Sequence, residues 1–306
     1  MKHLRLIPDK TKINFMGHTR LFLAVSVLMT VVSIASLFAK GLNYGIDFTG
    51  GLVIEVRTDA PADIAKVRGL LSTEKSLGEV ALQQIGADGH SLMIRLQSKE
   101  DDHIKVVDKV KSLLGGLNTP IEYRKVEFVG PQVGQELIRM GLLSLCLSMA
   151  AMMVYIWFRF EWQFSVNAIV GLLYDAFLIF GLYSVTGLEF NLTSVAAILT
   201  IIGYSMNDKV VIYDRIRDNL RKYKKMKLDE LINLSINETL ARTLTTSGAT
   251  STTLVALILL GGPVIQGFSI AVLFGIVVGT YSSIYIASSL LLVTKLRADN
   301  PVVAAA

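Results

Sequence analysis

The sequence is poor in charge, nearly without cysteine, and lacks the common nucleotide and hydrolase signatures. Charged residues make up 18% of its 306 positions, where a soluble chain carries about 25%. Hydrophobic residues reach 52% and the mean hydropathy is +0.52. An ordinary soluble enzyme is thereby excluded, and so is a disordered chain, which is never this apolar. The single cysteine, Cys146, closes no internal disulfide and suggests no metal cluster. No G-x-x-x-x-G-K-[ST] loop occurs, which leaves a nucleotide-driven pump unsupported, and the absence of H-E-x-x-H and G-x-S-x-G removes the commonest membrane hydrolases. No cofactor and no metal are expected. Any work this chain does draws on a membrane gradient or a partner.

What the chain does have is apolar length. A spanning helix needs about 20 mostly apolar residues. Six segments qualify, at about 21–39, 137–158, 164–186, 191–213, 242–260 and 268–294. The first exceeds the 7–15 residues of a signal-peptide core and reads as an uncleaved anchor. Lysine and arginine in the short loops set the orientation. Lys2, Arg5, Lys10, Lys12 and Arg20 lie in the tail 1–20, and Lys295 and Arg297 in the tail 295–306. Arg215, Arg217, Arg221, Lys222, Lys224, Lys225 and Lys227 fill a basic loop at 214–238, while the loops after the third and fifth spans have no basic residue. Both termini therefore face the cytoplasm, and the polar stretch 40–136 lies on the other side. Arg215, Arg217, Arg221 and Lys222 are read as topology signals in contact with anionic lipid head groups. With no recognition motif and no aromatic stacking set, nucleic-acid binding is not expected.

The stretch 41–135 reads as β-α-β-β-α-β. Residues 52–57 alternate, with Ile54 and Val56 on one face and Glu55 and Arg57 on the other. Ile64, Val67, Leu70 and Leu71 share a helical face. A weaker strand at 79–85 leads through the turn Ala87-Asp88-Gly89 to Leu92, Ile94 and Leu96. Ile104, Val107, Val110 and Leu114 line a second helix whose Asp101, Asp102, Lys105 and Lys109 face water. A strand at 121–129 ends the unit. This order predicts a ferredoxin-like sandwich, which by itself implies no function. His90 and His103 show no ligand spacing.

An ionisable side chain in the bilayer costs roughly 2.5–3.5 kcal/mol on insertion scales, so each one is a candidate functional group. Asp208 lies about 25 Å along the fourth span at 1.5 Å per residue; its alternative role is a structural ion pair tying two helices together. Lys209 follows it but points about 100° away around the helix. Arg242 opens the fifth span ahead of a run of threonine and serine and stands at similar depth, which allows a charge pair with Asp208; its alternative is snorkelling to the interface. Asp175 is the deepest charge, either functional or hydrogen-bonded to neighbouring hydroxyls or water. Gly275 and Gly279 form G-x-x-x-G, a close-packing face that also arises by chance. Gly261-Gly262-Pro263 reads as a turn.

Five motifs add a resemblance. Gly45-Ile46-Asp47-Phe48-Thr49-Gly50-Gly51 follows the first span, and Val129-Gly130-Pro131-Gln132-Val133-Gly134-Gln135-Glu136-Leu137 leads into the second. Gly203-Tyr204-Ser205-Met206-Asn207-Asp208-Lys209 stands in the fourth, Asn237-Glu238-Thr239-Leu240-Ala241-Arg242-Thr243 in the fifth and Gly279-Thr280-Tyr281-Ser282-Ser283-Ile284-Tyr285 in the sixth. Together they resemble the SecD/SecF protein-export family, of the resistance-nodulation-division superfamily. The length and six-span layout match one of its two subunit types. The resemblance implies a bacterial inner-membrane subunit that pairs with a SecD partner at the SecYEG channel and uses the proton motive force to draw a translocating preprotein outward. It maps proton coupling onto Asp208 and Arg242, with Asn207 and Asp175 beside them. Two departures stand out: Tyr174 where many members have histidine, and Lys209 where many have a small residue. Lys209 is expected to favour the ionised form of Asp208. A small-molecule exporter of the same superfamily, a passive scaffold for SecD and an intramembrane aspartyl protease are the competing readings; the last lacks the G-x-G-D motif.

Overall fold

The computed structural model describes residues 11–59, 63–85, 89–97, 103–117, 120–294 and 296. Lys2, Arg5, Lys10, Ala87, Asp88, Asp101, Asp102, Lys295 and Arg297 lie outside the described residues. The chain divides into two compact units, one formed by residues 1–43 with 143–306 and the other by residues 44–142.

In the first unit, helix α1 (Thr19–Lys40) follows a short 3-10 turn at Met16–His18. The second unit begins at Tyr44, the last residue of the two-residue strand β1 (Asn43–Tyr44), and continues with helix α2 (Ile46–Thr49). Gly50 and Gly51 end α2 with φ of +70° and +120°, a region open to glycine and strained for other residues. Then come β2 (Gly51–Thr58), α3 (Ile64–Ser72), β3 (Glu79–Ile85), β4 (Ser91–Gln97), α4 (His103–Gly115) and β5 (Ile121–Val129). The four strands form an antiparallel sheet in the order β3-β4-β2-β5. Asp63 caps α3 by accepting from the amides of Ala65 and Lys66, at 3.0 and 3.2 Å, a bond that ties down an otherwise orphan donor.

The core of this unit is apolar: Leu52, Ile54 and Val56 from β2, Leu92, Ile94 and Leu96 from β4, and Val67 and Leu71 from α3. In α4 the buried stripe is Val106, Val110 and Leu114. Ile104, expected on that stripe, is 74% exposed. The spacing 106, 110, 114 follows i, i+4 steps that keep one helical face inward, and position 104 falls off it. Glu55, expected on the wet face, is buried.

Helix α5 (Pro131–Arg159) begins in the second unit and ends in the first. It is followed by α6 (Trp162–Thr186), β6 (Glu189–Phe190), α7 (Leu192–Lys222), α8 (Leu228–Leu260), α9 (Pro263–Ser282), a π-helical turn (Ser283–Ala287) and α10 (Ser288–Val293). Six stretches among these are long and apolar enough to cross a membrane. The expected basic loop at 214–238 is mostly helix, because α7 and α8 run on past their apolar parts and leave only 223–227 between them. Gly261 and Gly262 separate α8 from α9, with Pro263 at the first position of the new helix, where its missing N–H costs nothing.

The centre of the membrane unit is made by α6, α7 and the last span. More than half of the apolar window of each is buried, against 6% for α5, 11% for α1 and 17% for α8. α1 lies along α6, and α8 along α7 and α9. Glycine makes the close approaches. A Cβ at Gly275 would stand 2.4 Å from Ile201, one at Gly279 would stand 2.9 Å from Ser205, and one at Gly181 would stand 2.1 Å from Ser33. The G-x-x-x-G of α9 is therefore a packing face against α7, as small residues allow between membrane helices.

Candidate functional site

Two polar networks lie inside the membrane unit, one around Asp208 and one around Asp175. Asp208 is 2% exposed. Its Oδ2 accepts a hydrogen bond from the hydroxyl of Thr280 on α9, at 3.3 Å. Thr280 lies 3.0 Å from the hydroxyl of Ser247 on α8, and Ser247 in turn accepts from the hydroxyl of Tyr204 at 3.4 Å. Tyr204 is one turn before Asp208 on α7. The four groups thus form a chain of three hydrogen bonds that leaves α7 at Tyr204 and returns to it at Asp208, a ring closed by the turn of α7 itself. A hydroxyl has one proton to donate, so a carboxylate at position 208 fixes the direction of the whole chain: Tyr204 donates to Ser247, Ser247 to Thr280 and Thr280 to Asp208.

Arg242 is not part of that ring as a direct partner. It is exposed, and its guanidinium makes neither hydrogen bond nor ion pair among the described residues. The charge of Arg242 acts on Asp208 without a direct bond between them, and the hydrogen bond to the carboxylate comes from Thr280. The physical reason is position around α8: Ser247 and Thr243 face inward and are buried, while Arg242 turns outward. Asn207 is also exposed, and its side chain makes no hydrogen bond among the described residues.

The second network was not legible as such. Lys209 and Asp175 form an ion pair of 2.8 Å with both side chains at 0% exposure. Around the ammonium the fit is complete. Its three N–H donors reach Asp175 Oδ2 at 2.8 Å, Ser205 Oγ at 2.5 Å and Ser282 Oγ at 3.1 Å. Ser205 also donates to Asp175 Oδ2 at 2.5 Å. Gly171 makes the room, because a Cβ there would stand 2.6 Å from Lys209 Cε. The π-helical turn begins directly after Ser282, and such turns often mark functional places. Asp175 Oδ1 is buried without a hydrogen-bond partner among the described residues. The charge of Lys209 acts on Asp208 as expected, while its ammonium is hydrogen-bonded within the Asp175 cage. The 100° step between consecutive helical residues sends Asp208 toward α9 and Lys209 toward α6. A lysine beside an acid in a membrane span was the available signal, and a search for a second acid on a neighbouring helix would have found the pair.

Tyr174, the neighbour of Asp175, is half-buried against α1, with its hydroxyl 4.0 Å from the sulfur of Met29. It takes no part in the cage. Of the basic residues, Arg215 binds Glu238 at 2.7 Å. Arg217 and Arg159 share Asp214, each at 2.9 Å. These two arginines also flank the ring of Phe160, at 5.1 and 4.9 Å. Arg221 and Lys222 are exposed. Arg215 and Arg217 thus tie helix ends together, a role the lipid-contact reading of these residues omits.

The N-terminal segment is pinned to α8. Asn237 accepts from the amide of Ile13 at 2.9 Å and donates to its carbonyl at 2.8 Å. Asn233, one turn earlier, accepts from the amides of Phe15 and Met16 at 2.7 and 3.3 Å. Two family-like motifs also meet: Gly134 lies so close to Phe48 that a Cβ would stand 2.9 Å from its carbonyl oxygen.

Comparison with known proteins agrees with this layout. The family model described as protein export membrane protein SecD/SecF, C-terminal, matches residues 109–297, and the SecD/SecF GG motif matches residues 35–62. The chain is 48% identical over 291 residues to the protein translocase subunit SecF of Rickettsia bellii, covering 94% of this chain and 95% of that one. It is 48% identical over 299 residues to that of Rickettsia felis, covering 97% and 96%. Among solved structures, SecDF of Thermus thermophilus, described as a translocon-associated membrane protein, superposes with a TM-score of 0.86 at 35% identity. That match covers 95% of this chain and 40% of the SecDF chain. The super-membrane-facing form of SecDF gives a TM-score of 0.69. On the length of the family match and the identity to full-length relatives, the chain belongs to the SecD/SecF family of protein-export membrane proteins, with SecF translocase subunits as its relatives.

Proposed function

We propose that this subunit assists Sec-dependent export by coupling proton passage at Asp208 to a shift of its helices. The reading takes it as a bacterial inner-membrane protein with both termini in the cytoplasm and residues 40–136 as a ferredoxin-like periplasmic domain. It works with a SecD partner and the SecYEG channel on a translocating preprotein, in contact with membrane lipids. The basic residues of the N-terminal tail and of 214–238 support the orientation. The β-α-β-β-α-β order and the β3-β4-β2-β5 sheet support the domain reading.

One observation carries the mechanism: a buried carboxylate closes a ring of hydroxyls that joins α7, α8 and α9. When Asp208 is ionised it only accepts, and every hydroxyl in the ring donates toward it. When it takes a proton it becomes a donor, and the ring can reverse its direction. Each state favours its own spacing of the three helices, so one proton biases one packing over another. The potential supplies about 2.3 kcal/mol per charge per 100 mV. That is enough to shift a two-state packing by tens of fold, and too little to unfold a domain. Arg242 and Asn207, both turned outward here, are the groups that a shifted packing or the SecD partner brings toward Asp208.

The test is gradient-stimulated release of a preprotein from membranes in which Asp208→Asn replaces the native subunit. Asparagine keeps the size and loses the titration. Stimulation by the gradient should vanish while assembly with SecD and ATP-driven entry persist; undiminished stimulation overturns the mechanism.

A further inference from the structure

The cage around the Lys209 ammonium has the composition of a monovalent-cation site. Its walls are a carboxylate and two hydroxyls from three different helices: Asp175 on α6, Ser205 on α7 and Ser282 on α9. All three are buried, Asp175 and Ser282 at 0% and Ser205 at 1% exposure. Among the described residues, no acidic group other than Asp175 touches the ammonium. The cage is also under-filled on the acid: Asp175 Oδ1 is sequestered from solvent with no donor, although a carboxylate has room for about four hydrogen bonds. Hard cations take oxygen ligands of this kind from carboxylates, hydroxyls and carbonyls. The carbonyl of Gly279, which accepts from Ser282 and Ser283 at 3.1 and 2.7 Å, borders the cage. Gly171 provides space where any side chain would meet the lysine stem.

We propose that Asp175, Ser205 and Ser282 form a sodium-sized cation site that this chain fills permanently with its own lysine. Lys209 is then a specificity-determining residue. A tethered ammonium neutralises Asp175, joins α6, α7 and α9, and keeps exchangeable cations out of the deepest acid of the chain. It leaves Asp208 as the one buried acid in the spans free to exchange a proton, and in that respect the inference rests on the functional reading above. The cage itself stands on distances and burial alone.

The prediction is that removing the lysine stem converts the cage into a sodium site. The full-length protein in lipid nanodiscs is unfolded by heat in sodium chloride and in choline chloride at equal ionic strength. Native protein should melt at the same temperature in both salts. Lys209→Ala should melt lower in choline and regain several degrees in sodium, saturably, as a ligand that binds only the folded state requires. Asp175→Asn combined with Lys209→Ala should lose the sodium response. If the alanine variant does not fold in either salt, Lys209→Ser, which adds a hydroxyl to the vacated space, is read the same way. Failure of both to fold even in sodium overturns the proposal, because sodium should replace the missing charge. So does a sodium response no larger than that of native protein, or one that survives Asp175→Asn. These readings involve no gradient and no preprotein, so they fail or succeed independently of the Asp208 mechanism.

Discussion

Asp208 and Lys209 are consecutive in the chain and serve different networks: the carboxylate bonds to Thr280 at 3.3 Å, and the ammonium to Asp175 at 2.8 Å. One helix, α7, therefore presents a buried acid to α9 and a buried base to α6. The base is locked by three acceptors. Among the described residues the acid has one hydrogen-bond partner, the neutral hydroxyl of Thr280 at a long distance, and feels the charges of Lys209 and Arg242 without a direct bond. That difference separates a structural charge from one able to change its state.

The lock makes a stability prediction. Removing one partner of a buried ion pair leaves an uncompensated charge and costs about 3–5 kcal/mol. Lys209→Met or Asp175→Asn alone should lower the melting temperature sharply. The pair of changes together should recover most of the loss, since an apolar-neutral replacement of a buried pair is often close to neutral. Thermal unfolding of the four proteins in choline chloride closes the double-mutant cycle. Additive losses would contradict a coupled pair.

The ring makes a functional prediction. Thr280→Val keeps the shape of the side chain and cuts the link between Asp208 and Ser247. Gradient-stimulated preprotein release should fall several-fold, and the level of assembled complex should hold. Ser247→Ala, which cuts the same ring one step further on, should act in the same direction and add little to Thr280→Val.

Close packing makes a third. Gly279→Leu places atoms where Ser205 now lies, starting from a Cβ only 2.9 Å away. Overpacking of this kind costs about 1–3 kcal/mol, and here it also pushes on the Lys209 cage through Ser205. Gly203, whose Cβ would meet nothing within 4 Å, is the control: Gly203→Ala should leave the unfolding free energy within about 0.5 kcal/mol of native, as a change that makes no clash does.

Much of this was readable in the sequence. The six spans follow from apolar length, and the β-α-β-β-α-β order in residues 41–135 from alternation and helical period. The buried residues Ile54, Val56, Val67, Leu71, Leu92, Ile94 and Leu96 stand where the pattern put them. Ile104 did not, because a four-residue apolar cluster on a short helix fits two overlapping stripes and tertiary packing picks one. The burial of Asp208 and Asp175 followed from their cost in lipid. The neighbouring hydroxyl expected for Asp175 is that of Ser205; the other partners did not follow. Which neighbour a side chain meets depends on the rotation of α6, α8 and α9 about their axes, and none of the three has a marked polar face opposite an apolar one, so the sequence leaves that rotation open. Arg242 shows the consequence: depth brings its charge to act on Asp208, and the rotation of α8 leaves the two without a direct bond.

The asparagine clamp supplies a fourth prediction. Asn237 and Asn233 hold the backbone of Ile13, Phe15 and Met16 as a neighbouring strand would. Asn237→Leu removes two of those bonds. At about 0.5–1.5 kcal/mol each, amide exchange at Ile13 should speed up by roughly tenfold in hydrogen-exchange mass spectrometry, with Gly187 at the end of α6 unchanged. No change at Ile13 would show that the segment is held by other contacts.

The central claim is that Asp208 gains and loses a proton. Infrared difference spectroscopy of the subunit with its SecD partner in lipid measures this most directly, as the protonated-carboxyl band that appears when the bathing pH is lowered. The account predicts a band in native protein that is missing in Asp208→Asn and retained in Asp175→Asn combined with Lys209→Met. A native spectrum with no such band, or a band that survives Asp208→Asn unchanged, would contradict it.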